Sequence, residues 1–166
     1  MSTLLVVDEN DVALGSKARA ALLPGELYRV SALWLANSKG EVLMAQRAYT
    51  KEKDPGVWGP AAAGTVEESE DYDTNIVKEI QEELGILIPL EKLARVAKTR
   101  VGGKHNDYFV QWYSAVLDKP AEDFIFQKQE VEQVKWFSPD ELRTKIQANP
   151  EEFTPAASQW LKLFLK

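Results

Sequence analysis

The segment from Gly64 to Ile86 must form a helix with two chemically opposed sides, and that requirement constrains the fold around it. Ile76, Val77, Ile80 and Leu84 recur at three- and four-residue spacing, an apolar stripe that has to be covered by a sheet. Glu79, Glu82 and Glu83 share a different face at the same kind of spacing, because residues three and four apart on a helix stand side by side. Asp71 and Asp73 sit near the start, where negative charge meets the positive end of the helix dipole. Gly85 then stops a helix spanning roughly 71–84, and Ile86 opens an apolar strand. The glutamates therefore belong at the mouth of a cleft rather than in the core.

Like charges in this arrangement destabilise a helix unless something binds them. Carboxylate oxygens suit hard divalent cations, Mg²⁺ or Mn²⁺, which proteins commonly share with substrate phosphates. Residues 65–85 hold eight acids against one base, Lys78, whereas the whole chain carries a net charge of −6. The rest of the molecule is thus close to neutral, and its basic residues are free to meet an anion beside the acidic cluster. An acidic cluster alone reads as a solvated face; here the fixed spacing to Gly64 and Glu70 adds a stronger signal.

The stretch reads G-x5-E-x7-K-E-I-Q-E-E-L-G-I and resembles the box of the Nudix hydrolase superfamily, G-x5-E-x7-R-E-U-x-E-E-x-G-U with U aliphatic. Gly64, Glu70, Glu79, Ile80, Glu82, Glu83, Gly85 and Ile86 match. The resemblance implies an α/β fold, an α/β/α sandwich around a mixed β-sheet, with residues 1–166 forming one domain. It also implies a metal site of Glu70, Glu79, Glu82 and Glu83 holding Mg²⁺ or Mn²⁺, with Glu79, Glu82 and Glu83 catalytic and Glu82 as general base. Gly64, Lys78 and Gly85 take structural roles in the box. Lys78 stands where the family has Arg, keeping the charge but losing the planar fork that grips two carboxylate oxygens.

Further runs, V-D-E-N-D at 7–11, G-S-K-A-R at 15–19, L-Y-R-V at 27–30, Q-R-A-Y-T-K at 46–51 and D-P-G-V-W at 54–58, resemble the branch containing type I isopentenyl-diphosphate isomerases. There basic residues hold the diphosphate, and the positions matched here are Lys17, Arg47 and Lys51. The isomerase reaction needs a Cys and metal-binding His residues, where this chain has Ala63, Thr65 and Tyr28. A methyl group delivers no proton, and hydroxyls are poor substitutes for imidazole ligands. The combination points to metal-assisted hydrolysis of a nucleoside diphosphate derivative or related small diphosphate. An isomerase-like protein and a non-catalytic diphosphate-binding module are the alternatives. Trp58, in a loop rich in Gly and Pro, is the candidate for lining the substrate pocket, while Trp34 and Trp112 read as core. Asp107 is a further candidate to approach the metal, against an ordinary turn, and Glu130 and Glu132 are candidates for a late base, against plain surface charges.

Composition narrows the field. The 166 residues are 45% hydrophobic, enough for a full core. The absence of Cys excludes disulfides and thiol chemistry, and the single His105 excludes a poly-His zinc site. The N-terminal run MSTLLVVDENDV lacks the pattern of a signal peptide, and no stretch is apolar enough to span a membrane, which together suit a cytoplasmic protein. Basic residues are scattered, so no nucleic-acid polymer is expected as partner. Oligomeric state is open, a homodimer being compatible with the chain. A strand is expected near 3–8, then a second short strand before a loop containing Pro24 and Gly25, and further strands at 28–36, 41–47, 61–64, 86–100, 108–118 and 131–137, with a loop over 49–60 and helices after Ser138 and over 155–165.

Overall fold

The computed structural model describes residues 2–104 and 106–166, so His105 lies outside the described residues. Its centre is β3 (Leu27–Ala36), whose residues 31–35 are buried without polar alternation, as expected of a strand covered on both faces. Leu33 and Leu35 belong to one packed layer with Ile76, Ile80 and Leu84 of α1 (Tyr72–Leu84). Ala32 and Trp34 turn to the other, where Leu142 and Ile146 of α2 (Pro139–Ala148) and Trp160 of α3 (Ala157–Leu163) cover them.

β3 runs parallel to β8 (Tyr108–Val116) from Tyr28 opposite Tyr108 to Ala36 opposite Val116. Its antiparallel partners are β1 (Thr3–Val7), β6 (Ala62–Thr65) and β4 (Val42–Arg47), which pair with successive stretches of it. β2 (Ala13–Ala18) extends the sheet from β1, β7 (Ala94–Val101) from β8, and β5 (Trp58–Pro60) and β9 (Val131–Phe137) from β4, all antiparallel. One parallel pair in an otherwise antiparallel sheet, with α1 on one face and α2 and α3 on the other, is the expected mixed-sheet α/β/α sandwich. Among the described residues no helix is long and apolar enough to cross a membrane.

The acidic helix begins and ends as its sequence demands. Asp71 caps it, accepting from the Thr74 backbone N–H at 2.7 Å, while the Thr74 hydroxyl takes the Asp71 N–H at 3.0 Å in a reciprocal capping pair. Gly85 closes it in the left-handed region at φ 67°.

Three elements differ from expectation. The strand read over 86–100 starts only at Ala94, because Pro89, which has no N–H to offer a ladder, leads into a 3-10 turn at Leu90–Lys92. The loop read over 49–60 ends early, since Trp58–Pro60 pairs with Gln46–Met44 as β5. The last helix is shorter than 155–165, spanning Ala157–Leu163.

Candidate active site

β6 pairs with β3 beneath α1, and this brings the box glutamates to the sheet. Gly64 makes the approach possible: a Cβ there would overlap the Glu79 carboxyl and lie 2.5 Å from its Cγ. Glu79 and Glu83 both line a cleft of about 740 Å³. The Glu83 Oε2 accepts the Ala63 backbone N–H at 2.9 Å. Burial pushes the Glu83 carboxyl up to about 8, with the charge of Glu79 adding to it and the Ala63 N–H opposing. Burial likewise pushes Glu79 up to about 7, the Lys78 charge opposing while Glu82, Glu70 and Glu67 add. We expect Gly64→Ala to lower Tm by an amount equivalent to about 1–3 kcal/mol, the usual cost of overpacking, and to lose hydrolytic rate with it. Calorimetry showing an unchanged Tm would remove Gly64 from this account.

The other box residues stand differently. Glu82 is exposed and lines a shallow outer hollow with Lys78, Gln81, Gly85 and Phe126. The Glu70 Oε2 accepts from the Glu67 N–H at 3.0 Å and from Asn75 Nδ2 at 2.7 Å, and its Oε1 is ion-paired with Lys78. Burial opposes its charge, but these partners outweigh burial and hold the Glu70 carboxyl below its ordinary range. The Lys78 Nζ also lies 3.7 Å from Glu79 and 3.8 Å from Glu67. Among the described residues no three acidic side chains converge tightly enough to enclose one ion. Two partly buried carboxylates close to each other, each with raised proton affinity and only oxygen to offer, nonetheless fit a hard dication, which would relieve the cost of their charge.

The same cleft is lined by a cationic group of Arg19, Arg47, Lys51 and Lys53. Lys51 pairs with Glu130, another lining residue, at 2.7 Å. Arg47 donates through Nε and Nη2 to the Lys53 carbonyl at 3.1 and 2.9 Å. Lys53 Nζ reaches the Tyr28 hydroxyl at 3.3 Å, and Arg19 donates to the Thr65 hydroxyl. Lys17 is not in this group; it pairs with Glu26 at 2.6 Å on the β2 side. The cation that the hairpin contributes is Arg19, two residues further on, in the short 3-10 turn after β2, where strand parity gives no guide to direction. Removing a charged hydrogen-bond donor from a ligand costs about 1.5–3 kcal/mol. Arg19→Ala is therefore expected to raise KM for a diphosphate substrate by at least about tenfold, with Lys17→Ala near wild type, as steady-state kinetics would show.

Trp58 lies outside the cleft lining, edge-on to Phe137 with ring centroids 5.3 Å apart, because its strand pairing turns it into the α2 and α3 layer. Trp34 and Trp112 are buried as expected, and Trp112 also forms part of the cleft floor. Asp107 pairs with Arg100 at 3.1 Å, away from the lining. Tyr28 and Tyr108, stacked at 5.3 Å, join Val30, Val110 and Ala156 to give the cleft an apolar side. Ala63 and Thr65, at the positions that the isomerase reaction would need, line the same space, as does Tyr28.

The model of the NUDIX domain matches residues 26–159. An uncharacterized Nudix hydrolase of Pseudomonas aeruginosa is 32% identical, over 96% of this chain and 90% of its own. An isopentenyl-diphosphate Delta-isomerase of Nocardia farcinica is 28% identical, over 95% and 91%. A prenyl-diphosphate phosphatase of Methanosarcina mazei is 27% identical, over 95% and 92%. In three dimensions a crystal structure from Deinococcus radiodurans superposes with a TM-score of 0.82 at 22% identity, covering 98% of this chain and 99% of that one, a likeness of fold. With Glu79 and Glu83 of the box brought against β6 and the family model spanning most of its length, this chain belongs to the Nudix family, in the branch shared by Nudix hydrolases and isopentenyl-diphosphate isomerases.

Proposed function

We propose that the protein is a metal-dependent hydrolase of a small diphosphate, with Mg²⁺ or Mn²⁺ held by Glu79 and Glu83. The observation that carries this reading is that two partly buried carboxylates of raised proton affinity and four cationic side chains line one cleft. A diphosphate suits such a lining, since its negative charge needs cationic partners beyond the metal. When bound, the cation would polarise a phosphoryl oxygen and lower the pKa of water.

The chain's own groups do the rest. Arg19, Arg47, Lys51 and Lys53, which line the same cleft, neutralise and orient the diphosphate. Lys51 leaves Glu130 when it turns to the anion, and the freed Glu130 carboxylate takes the proton of the attacking water. Water oxygen bonds to phosphorus, the anhydride P–O bond breaks, and the leaving phosphate departs with the bond's electron pair. Glu82, the base suggested by the box, stands outside the lining, which is why Glu130 is preferred for that role. The aromatic and aliphatic side of the cleft suits an organic group that packs or stacks. The methanogen relative named a prenyl-diphosphate phosphatase supports diphosphate cleavage in this branch.

Isomerisation finds less support, since Ala63 has no proton to give and the hydroxyls of Thr65 and Tyr28 are engaged by Arg19 and Lys53. The deciding experiment incubates the protein with Mg²⁺ or Mn²⁺ and a panel of nucleoside diphosphate derivatives and prenyl diphosphates, measuring phosphate or nucleoside monophosphate release. Isopentenyl diphosphate is followed for double-bond migration in parallel. Product release supports the reading; isomer accumulation without phosphate, or no turnover of any member, refutes it.

A further inference from the structure

We infer that Lys78 is a resident cation that sets how tightly the site binds its divalent metal, an inference that rests on the metal-dependent reading above. The Lys78 ammonium lies among three carboxylates, paired with Glu70 and 3.7 and 3.8 Å from Glu79 and Glu67. Glu70 has little left to offer a metal, because its second oxygen is already filled by the Glu67 N–H and the Asn75 amide. Asn75 is itself fully buried and anchored to the Thr65 carbonyl at 3.1 Å and to the Ser31 hydroxyl, so this clamp is part of the fold. Of the box carboxylates, Glu79 and Glu83 line the cleft, with Glu67 beside them.

A dication held by Glu79 would therefore share that ligand with an ammonium group at short range, and like charges at such separations repel in a half-buried setting. A lysine makes this repulsion through charge alone, being a compact ammonium without the planar fork of arginine. The free protein thus binds its metal weakly, and the diphosphate supplies both the missing oxygens and the missing negative charge. Metal and diphosphate bind cooperatively, each raising the other's affinity by the same factor.

The test titrates Mn²⁺ into the full-length wild type and Lys78→Met, following free Mn²⁺ by electron paramagnetic resonance, with and without methylene bisphosphonate. Without the bisphosphonate, Lys78→Met is expected to bind Mn²⁺ about tenfold more tightly than wild type, in the range that changes around metal ligands produce. Lys78→Arg keeps the charge and is expected to remain within about twofold of wild type. The bisphosphonate is expected to tighten Mn²⁺ binding by wild type. Equal or weaker binding by folded Lys78→Met, or tightening by Lys78→Arg as large as by Lys78→Met, overturns the inference while leaving the metal site standing. Should Lys78→Met not fold, Lys78→Gln carries the same expectation. No Mn²⁺ bound by any form under either condition overturns the metal-dependent reading itself.

Discussion

Glu83→Gln should leave a folded protein whose hydrolytic rate is lower by about 10²–10⁴-fold, the range expected when a charged group at the reacting centre is lost. The amide is nearly isosteric, and its carbonyl oxygen still accepts the Ala63 N–H that Glu83 takes at 2.9 Å, so the local packing survives. What disappears is the negative charge that a cation needs in the cleft. Glu79→Gln is expected to lose activity on the same scale, because Glu79 is 13% exposed and faces the same space. Stability separates this explanation from simple damage. Burial already opposes the charge on both side chains, so each amide should raise the metal-free Tm near neutral pH even as turnover falls. Glu82→Gln is the internal comparison: an exposed position outside the cleft lining should cost less than either. Equal rates for wild type and both cleft variants would place the chemistry elsewhere.

The acidic helix was legible because each of its requirements is local. Asp71 caps it, Gly85 ends it, the stripe Ile76, Ile80, Leu84 fills one sheet face, and these follow from spacing within one segment. The central strand was legible for a similar reason, since only a strand buried on both faces tolerates an uninterrupted apolar run. The cationic group was read only in part. Arg47 and Lys51 face the cleft as expected, but choosing between Lys17 and Arg19 depends on the direction the chain takes on leaving β2, which no periodicity encodes. Trp58 shows the same limit from the other side: its neighbours Gly56 and Gly59 suggest a loop, yet pairing with Gln46 makes it a strand residue and turns its ring into a packed layer. The spacing of Glu79, Glu82 and Glu83 established a shared helical side without revealing how deep each carboxylate sits. Depth is set by β6, and by Gly64 in particular, whose missing side chain is the space that Glu79 fills.

That depth has a thermodynamic consequence: metal-free protein should lose stability as pH rises from about 5 to about 8, and Mg²⁺ or Mn²⁺ should restore it. Glu79 and Glu83 have folded-state values near 7 and 8, above their ordinary 4.5. A carboxyl raised in this way binds more protons folded than unfolded, so unfolding becomes easier as pH climbs through the interval between the two values. Each pH unit across which one such group differs is worth about 1.4 kcal/mol, and the mutual repulsion of the pair spreads their contribution over a common window. Carboxylates with the opposite shift do not obscure this. Asp11 is buried, which opposes its charge, but hydrogen bonds from Lys98, Arg29 and Tyr72 outweigh burial and hold it below 3.8. Its contribution is complete above about pH 5 and is lost only as the solution becomes more acidic. Between about pH 5 and 8 the slope therefore belongs mainly to the cleft glutamates. A cation bound only to the folded, ionised site stabilises it by mass action, most at the alkaline end where both carboxylates are charged. Calorimetric scans in chelator and in excess Mn²⁺ across this range should diverge steadily as pH rises. Parallel curves, or a chelated protein that is most stable near pH 8, would mean that Glu79 and Glu83 do not carry the poorly solvated negative charge on which the proposed chemistry depends.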